Sequence, residues 1–331
     1  MGSAATATGV VYSVLGPVPA SDLGVTLVHE GLLSIVPGAQ YAFDIKVDRA
    51  EIFHTLKSKL NAFKSAGGST IVDSLGMFHG RDLDLYESLA RVTGVNIVAS
   101  TGMGPEEQLG GYFLTPQTNP PTPWPAEKFA DLFGKEVEEG MVIPRLERRA
   151  GAGLAVTAAD TAGISATEVS LFKGVARTSV ATGVPASVSF GKDALAEIQV
   201  VLDEGLQANR LVAAGMDRKD AVAAGAPYAV AKLGVNVAID HVGSNGNPLF
   251  IDDTDRVRLV VELIAAGHTD RILLSASATG VSLGEAGNPT EYARVLTDFV
   301  PQLRQAGVSQ EAIDQILIHN PAQLLTVASA K

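Results

Sequence analysis

Apolar and polar residues follow one another in a unit that repeats along most of this chain. Each unit has a short apolar run rich in β-branched residues, then a loop, then a stretch with apolar residues at helical spacing. Strands are predicted at 24–28, 69–73, 96–100, 153–157, 185–190, 210–216, 236–240 and 271–275. Helices are predicted near 49–66, 83–93, 128–140, 166–182, 192–206, 218–232, 253–267, 290–306 and 309–328.

The order of these units predicts the fold. Near-continuous apolar strands indicate a parallel sheet that is covered by helices, and eight strand–helix units in succession predict a closed (β/α)₈ TIM barrel. An open doubly wound sheet is the alternative, but no G-x-G-x-x-G follows the first strand and the sequence has no P-loop. Two extended runs over 9–23 predict a short N-terminal β-hairpin. Residues 1–8 are expected to be a flexible tail, and 9–331 a single domain.

Composition narrows the classes of function and partner. The 331 residues carry a net charge of −11 without a basic patch, which argues against nucleic acid or an anionic membrane as a partner. The absence of cysteine excludes disulfides, thiolate metal sites and a cysteine nucleophile. No apolar run approaches the ~20 residues of a membrane span, and the N-terminal residues do not resemble a signal peptide. A cytoplasmic protein is therefore expected.

The best candidates for chemistry lie where predicted strands end. The active face of such a barrel is formed at the carboxyl ends of its strands, where the sequence places His29 after the first strand and Asp240-His241 after the seventh. An imidazole beside a cavity can act as a general acid or base near neutral pH, and an aspartate can orient it. We expect His29, Asp240 and His241 to be catalytic. The alternative is that His29 is only hydrogen-bonded at the strand end and Asp240 only braces a loop.

Several segments resemble one family, the phosphotriesterase-like (aryldialkylphosphatase) branch of the amidohydrolase superfamily. They are similar to it in order along nearly the whole chain, and they lie at 16–33 (GPVPASDLGVTLVHEGLL), 69–82 (STIVDSLGMFHGRD), 95–102 (VNIVASTG), 181–185 (ATGVP), 238–243 (AIDHVG), 271–275 (RILLS) and 316–324 (ILIHNPAQL). The resemblance implies a barrel hydrolase with two divalent metal ions at its mouth, and it also allows a homodimer.

The same resemblance implies which residues would hold the metals. Family members use a His-x-His on strand 1, a carboxylated Lys on strand 4, one His each on strands 5 and 6, and an Asp on strand 8. Carried over to this chain, the first His is His29, and the other five positions fall on Gly31, Val156, Ser189, Met216 and Ser277. Glycine and valine offer no donor, and methionine and serine are poor ligands for zinc. We predict that this protein has no metal ligands of this kind, no binuclear metal centre and no cofactor.

Replacing metal ligands by smaller residues is expected to leave space at the mouth. A cavity with apolar walls and two hydroxyls suits a small, largely apolar organic ligand that carries one or two oxygens. Contacts with this ligand are expected from Glu30, Gly31, His79, Tyr112, Val156, Ser189, Met216 and Ser277.

Two classes of function follow from these residues. The first is a metal-independent enzyme that uses His29, with Asp240 or His241, as acid and base for hydrolysis of an ester or lactone, for elimination or for isomerisation. The second is a non-catalytic, ligand-binding pseudoenzyme. A metal-dependent lactonase or phosphotriesterase is a further alternative, and it requires about two metal ions per chain.

Overall fold

The computed structural model describes residues 9–36, 42, 44–109, 114–115, 122–143 and 147–328. The predicted tail at 1–8 and the predicted ligand contact Tyr112 lie outside the described residues. Within the described ranges, no helix is both long and apolar enough to cross a membrane.

The predicted strands all occur at or near their predicted positions, among a larger set of strands. In chain order they are β1 (Val10–Ser13), β2 (Gly16–Pro19), β3 (Thr26–Ile35), β4 (Thr70–Asp73), β5 (Asn96–Gly102), β6 (Leu114–Thr115), β7 (Thr122–Pro123), β8 (Val142–Ile143), β9 (Glu147–Arg148), β10 (Leu154–Ala158), β11 (Ala186–Ser189), β12 (Leu211–Ala214), β13 (Asn236–Ile239), β14 (Ile272–Leu274) and β15 (Thr279–Leu283). The first two form the predicted antiparallel hairpin.

The helices alternate with the central strands. They are α1 (Arg49–Ser65), α2 (Leu83–Thr93), α3 (Glu106–Leu109), α4 (Ala126–Glu138), α5 (Ala166–Thr182), α6 (Ala194–Leu202), α7 (Lys219–Ala223), α8 (Ala226–Lys232), α9 (Asp253–Ala265), α10 (Val300–Gln305), α11 (Gln310–Asp314) and α12 (Asn320–Leu325). Helix α5 begins with a capping box in which the Ser165 hydroxyl accepts from the Glu168 amide, and it ends at Gly183 in the left-handed conformation.

Nine parallel strands form one curved sheet around the centre of the protein. Its order is β15, β3, β4, β5, β10, β11, β12, β13 and β14, so neighbours in space follow the order of the chain. This is the arrangement of a (β/α)₈ barrel, and the predicted fold class is confirmed. Within this sheet, the one strand that was not predicted is β15, which pairs with the second half of β3. The short strands β6 to β9, which lie outside this sheet, were not predicted either.

Side chains join β3 to the end of β14, where the sheet closes. The Glu30 carboxyl group accepts hydrogen bonds from the amides of Ala276 and Ala278, each at 2.7 Å. The Ser275 hydroxyl accepts from the His29 amide at 2.9 Å. Because both contacts involve the segment that follows β14, they fix the position of His29 relative to β14.

The two faces of the sheet pack against different layers. Ile71 and Ile97 point outward into the core shared with the helices, whereas Val72 and Val98 point into the barrel. The N-terminal hairpin and α12 close one end of the barrel through apolar side chains that join the interior cluster, namely Val11, Leu23, Leu324 and Leu325. The opposite end, where the strands finish, is left for the functional site.

Candidate functional site

A cavity of about 460 Å³ lies at the carboxyl ends of β11, β12 and β13. Its polar floor contains His29, Asp240 and His241, the three residues that the sequence proposes as catalytic. The remaining lining consists of Thr161, Ser189, Phe190, Ala214, Gly215, Arg218, Lys219, Asp220, Pro248, Leu249 and Phe250. The structure therefore brings the three candidates together in one concave site of the size typical of small-molecule pockets.

Asp240 lies between the two imidazoles. His29 Nδ1 is 2.9 Å from Asp240 Oδ2, although the direction of the contact is not that of a ring hydrogen bond, and His241 Nδ1 is 3.0 Å from Asp240 Oδ1. The Gly215 amide donates to the same carboxylate, at 3.0 and 3.1 Å from its two oxygens. Burial raises the pKa of Asp240, but its interactions with His29 and His241 outweigh burial and hold that pKa well below its usual range.

His241, at the floor of the cavity, is held as a cation. Its Nδ1 also lies 3.0 Å from Asp217 Oδ1, and its amide donates to Asp217 Oδ2. The ring stacks on Phe250, with 3.5 Å between ring centroids. Burial alone lowers the pKa of His241, but the carboxylates of Asp217 and Asp240 raise it to about 10. At neutral pH this residue therefore offers a proton rather than a lone pair.

A buried arginine completes the charge network behind His241. Arg256 of α9 is fully buried, and its Nε donates to Asp217 Oδ2 at 2.7 Å. Its Nη1 donates to Asp253 Oδ1 at 2.9 Å. Sequence reasoning missed this residue because one arginine in a helix with several charged positions carries no local sign of burial.

A second, smaller recess of about 50 Å³ adjoins the cavity. The two spaces share His29 and Ser189, so His29 stands between them. The other residues around the recess are Ser74, Leu75, Met103, Gly104, Val156, Thr157, Ala158 and Ser187. Of the predicted ligand contacts, Ser189 thus borders both spaces and Val156 borders the recess.

Glu30 and Gly31 do not line either space, contrary to expectation. Glu30 is buried and bound to the segment after β14, and burial raises its pKa to about 8 despite hydrogen bonds from Ala276 and Ala278. At Gly31 the expected space is filled, because a Cβ there would lie 2.8 Å from Leu75 Cδ1. The side chain of Leu75 has taken the room that the missing ligand leaves.

Met216, His79 and Ser277 also differ from expectation. Met216 is fully buried in the layer between sheet and helices, and its neighbour Gly215 lines the cavity instead. The ligand position on the sixth barrel strand, β12, therefore falls on Gly215, one residue before the Met216 that the sequence predicted.

His79 is buried, which lowers its pKa, and it lies outside both spaces. Ser277 is also outside them, in a turn with a φ of 46°.

The residues at the mouth do not fit the binuclear metal centre that the resemblance implies. Gly31 and Gly215 have no side chain, Val156 has no donor atom, and Leu75 occupies space beside Gly31. The ligand atoms of Asp217, Asp240 and His241 do lie within 4.8 Å of one another. However, these carboxylates already accept bonds from the Gly215 amide, Arg256 and His241, and the cationic groups of Arg256 and His241 balance their charge.

Comparison with known proteins agrees with this fold. The sequence model of the Phosphotriesterase family matches residues 9–325. A phosphotriesterase homology protein of Escherichia coli (strain K12) is 26% identical over 302 residues, which cover 91% of this chain and 97% of that protein. An N-acetyltaurine hydrolase of Xenopus tropicalis is 24% identical over 359 residues, covering 96% of this chain and 98% of that protein.

Solved structures give the same result. One structure, from the engineering of organophosphate hydrolysis activity on a weak promiscuous lactonase template, superposes with a TM-score of 0.81 at 24% identity. The superposition covers 96% of this chain and 99% of that one. With the family model matched from the first described residue to the end of α12, this chain belongs to the phosphotriesterase family.

Proposed function

We propose that this protein is an enzyme that acts on a small, largely apolar organic substrate by histidine acid–base catalysis, without a binuclear metal centre. The observation that supports this most is the contact of two imidazoles, His29 and His241, with one buried carboxylate at the floor of a cavity. A general acid and a general base in one site are the parts that hydrolysis, elimination or isomerisation requires. Among these, we favour hydrolysis of an ester or lactone, because the named relatives include hydrolases.

The two histidines have different roles in this proposal. His29 Nδ1 lies 2.9 Å from Asp240 Oδ2, so we assign Nε2, on the other side of the ring, as the atom that accepts a proton from a substrate or water. His241 is protonated at neutral pH, so it stabilises negative charge that develops on a substrate oxygen. Asp240 orients both rings and balances the charge of His241.

The walls of the cavity indicate the class of substrate. Phe190, Leu249 and Phe250 provide apolar surface, and Leu249 is 65% exposed at the edge. Both cations at the rim already have partners. The Arg218 guanidinium lies 3.9 Å from the centre of the Phe190 ring and pairs with Asp220 at 2.6 Å, and Lys219 Nζ donates to the carbonyl of Asn247 at 2.9 Å. A neutral molecule with an apolar body and a carbonyl near His29 therefore suits this site better than an anion.

The experiment is a panel of small esters, lactones and hydroxy compounds, assayed before and after exhaustive chelation. We expect turnover that resists the chelator and falls at least about 100-fold in His29→Ala, which removes the proposed base. The matched control is His54→Ala, because His54 is exposed on α1 and remote from the site in the fold. Its turnover should equal that of the wild type.

Three outcomes separate the alternatives. Chelator-resistant turnover that is lost only in His29→Ala supports the proposal. Retained ligand binding without turnover identifies a non-catalytic binding protein. Turnover that disappears on chelation and returns with a divalent metal identifies a metal-dependent lactonase or phosphotriesterase and overturns the proposal.

A further inference from the structure

Arg218 connects two of the segments that surround the cavity of about 460 Å³. Its Nη1 donates to the carbonyl oxygen of Phe190 at 2.7 Å, and its Nη2 donates to the carbonyl oxygen of Gly191 at 3.0 Å. Its Nε and Nη2 also donate to the two carboxylate oxygens of Asp220, at 3.1 and 2.6 Å. Such a forked pair fixes the orientation of the planar guanidinium. One side chain therefore holds the segment after β11 against the segment after β12.

The same guanidinium lies against the ring of Phe190. Arg218 Cζ is 3.9 Å from the ring centroid, and Phe190 lines the cavity although only 6% of it is exposed. A Cβ built on Gly215 would lie 3.6 Å from Arg218 Cδ and 3.7 Å from Phe190 Cε1, which is ordinary contact. The space that Gly215 leaves at the mouth is therefore bounded by these two side chains.

The backbone around Arg218 is held by bonds that do not involve its side chain. The Arg218 amide donates to the carbonyl of Gly215 at 3.0 Å, and Arg218 forms an antiparallel bridge with Phe250. The Lys219 amide donates to the carbonyl of Leu249 at 2.9 Å. We therefore expect a substitution of the Arg218 side chain to keep this backbone in place and to change the wall that the guanidinium supports.

We infer that Arg218 is a positioning residue that holds the Phe190 ring as a wall of the cavity and so determines how tightly the apolar part of a substrate binds. This inference rests on the proposed function, because it takes the cavity as the substrate site. A planar guanidinium packs on an aromatic face in a way that an ammonium group cannot reproduce. Contacts with an unreacting apolar group are similar in the ground state and the transition state, so their loss raises KM and leaves kcat nearly unchanged.

The test compares Arg218→Met and Arg218→Lys with the wild type, on phenyl acetate and on methyl acetate, which lacks the large apolar group. In Arg218→Met we expect KM for phenyl acetate to rise about fivefold or more, while kcat changes less than about twofold. KM for methyl acetate should change less than about twofold. Arg218→Lys should resemble Arg218→Met, because its charge lacks the planar fork. A wild-type KM in Arg218→Lys would show that charge alone suffices and would overturn the inference.

A double-mutant cycle tests whether Arg218 acts through Phe190. Phe190→Leu removes the ring and should also raise KM for phenyl acetate. If the guanidinium works by holding that ring, KM in the double variant Arg218→Met/Phe190→Leu should equal that of the more impaired single variant. A double variant whose increase is the product of the two single increases would show independent action, and the inference would then be wrong.

Arg210→Met is the matched control. Arg210 also holds two segments together through backbone carbonyls, at 2.7 Å from Gly183 and 2.6 Å from Leu324. It precedes β12, at the end of the barrel opposite the cavity, and it does not line the cavity. KM for phenyl acetate should be that of the wild type in this variant, so a general loss of stability cannot imitate the effect.

Binding of acetophenone separates this inference from the proposed function. This neutral ketone carries the same phenyl group and cannot be hydrolysed, and isothermal titration calorimetry gives its Kd. A Kd about fivefold higher in Arg218→Met supports the inference even in a protein without turnover, which would overturn the proposed function alone. Turnover with an equal Kd and an equal KM in wild type and Arg218→Met overturns the inference and leaves the proposed function standing. A wild-type protein that neither binds acetophenone nor hydrolyses the esters overturns both.

Discussion

At the scale of single residues, the site depends on charges that are buried and matched. Asp240, Asp217 and Arg256 are each fully buried. An isolated charge in such a place is strongly unfavourable, whereas a hydrogen-bonded chain of alternating charges is tolerated. The order runs from the carboxylate of Asp240 through the imidazolium of His241 to Asp217 and Arg256. The protonation of His241 therefore depends in part on Asp217 and Arg256, which do not line the cavity.

Arg256→Met tests this chain of charges. The substitution removes the cationic partner of Asp253 and one of the two cationic partners of Asp217, so we expect a loss of about 3–5 kcal/mol in the free energy of unfolding. Arg258→Met on the same helix is the control, because Arg258 is 65% exposed and its pairing with Asp255 is on the surface. That variant should differ from the wild type by less than about 1 kcal/mol. Urea unfolding measures both, and equal losses would refute the account of Arg256.

At the scale of elements, the loop after β4 determines how much space is open at the mouth of the barrel. Leu75 packs against Gly31 on β3, and the space on this side of the barrel is reduced to the small recess. The larger cavity lies on the other side, over β11 to β13. The open part of the site therefore lies beside Ser189, Gly215 and Asp240 rather than beside Gly31 and Val156.

Gly31→Ala probes this contact. The new Cβ would lie 2.8 Å from Leu75 Cδ1, so the leucine must move, and we expect a loss of stability of about 1–3 kcal/mol. In a Leu75→Ala background the same substitution should cost much less, which gives a favourable coupling in a double-mutant cycle. Thermal or urea unfolding of the four proteins measures the coupling. Additive costs would show that Leu75 does not fill this space.

The closure between β3 and the segment after β14 should make stability depend on pH. Burial raises the pKa of Glu30 to about 8 from its ordinary value of 4.5, which applies to the unfolded chain. The folded state thus binds a proton that the unfolded state has released, and the stability that this contributes is complete below pH 4.5 and decreases as pH rises toward 8. The slope for one group cannot exceed about 1.4 kcal/mol per pH unit.

Glu30→Gln should remove this contribution. The amide cannot accept from both Ala276 and Ala278 as the carboxyl group does, so the variant carries a constant loss from one hydrogen bond. The informative quantity is the difference in unfolding free energy between wild type and variant. We expect this difference to shrink or reverse between pH 5 and 8. A difference that is constant across this window would contradict the assigned pKa.

At the scale of the whole molecule, the barrel and its hairpin could be predicted because repeated apolar strands leave few alternative folds. The run 279–283 was not predicted as a strand, since TGVSL has no continuous apolar stretch and pairs only because β3 is long. The gathering of His29, Asp240 and His241 at one mouth also followed from strand order. Three other features could not be predicted, because they depend on tertiary packing that local sequence patterns do not contain. Leu75 fills the space beside Gly31, Gly215 lines the cavity, and Arg256 is buried.

The central proposal is that this barrel works without the binuclear metal centre that the family resemblance implies. The most direct measurement is the metal content of the full chain, purified from a medium supplemented with zinc, manganese and cobalt and analysed by inductively coupled plasma mass spectrometry. The loss of five ligand positions and the filling beside Gly31 predict far less than one tightly bound divalent ion per chain. About two ions per chain, retained through gel filtration, would contradict the proposal.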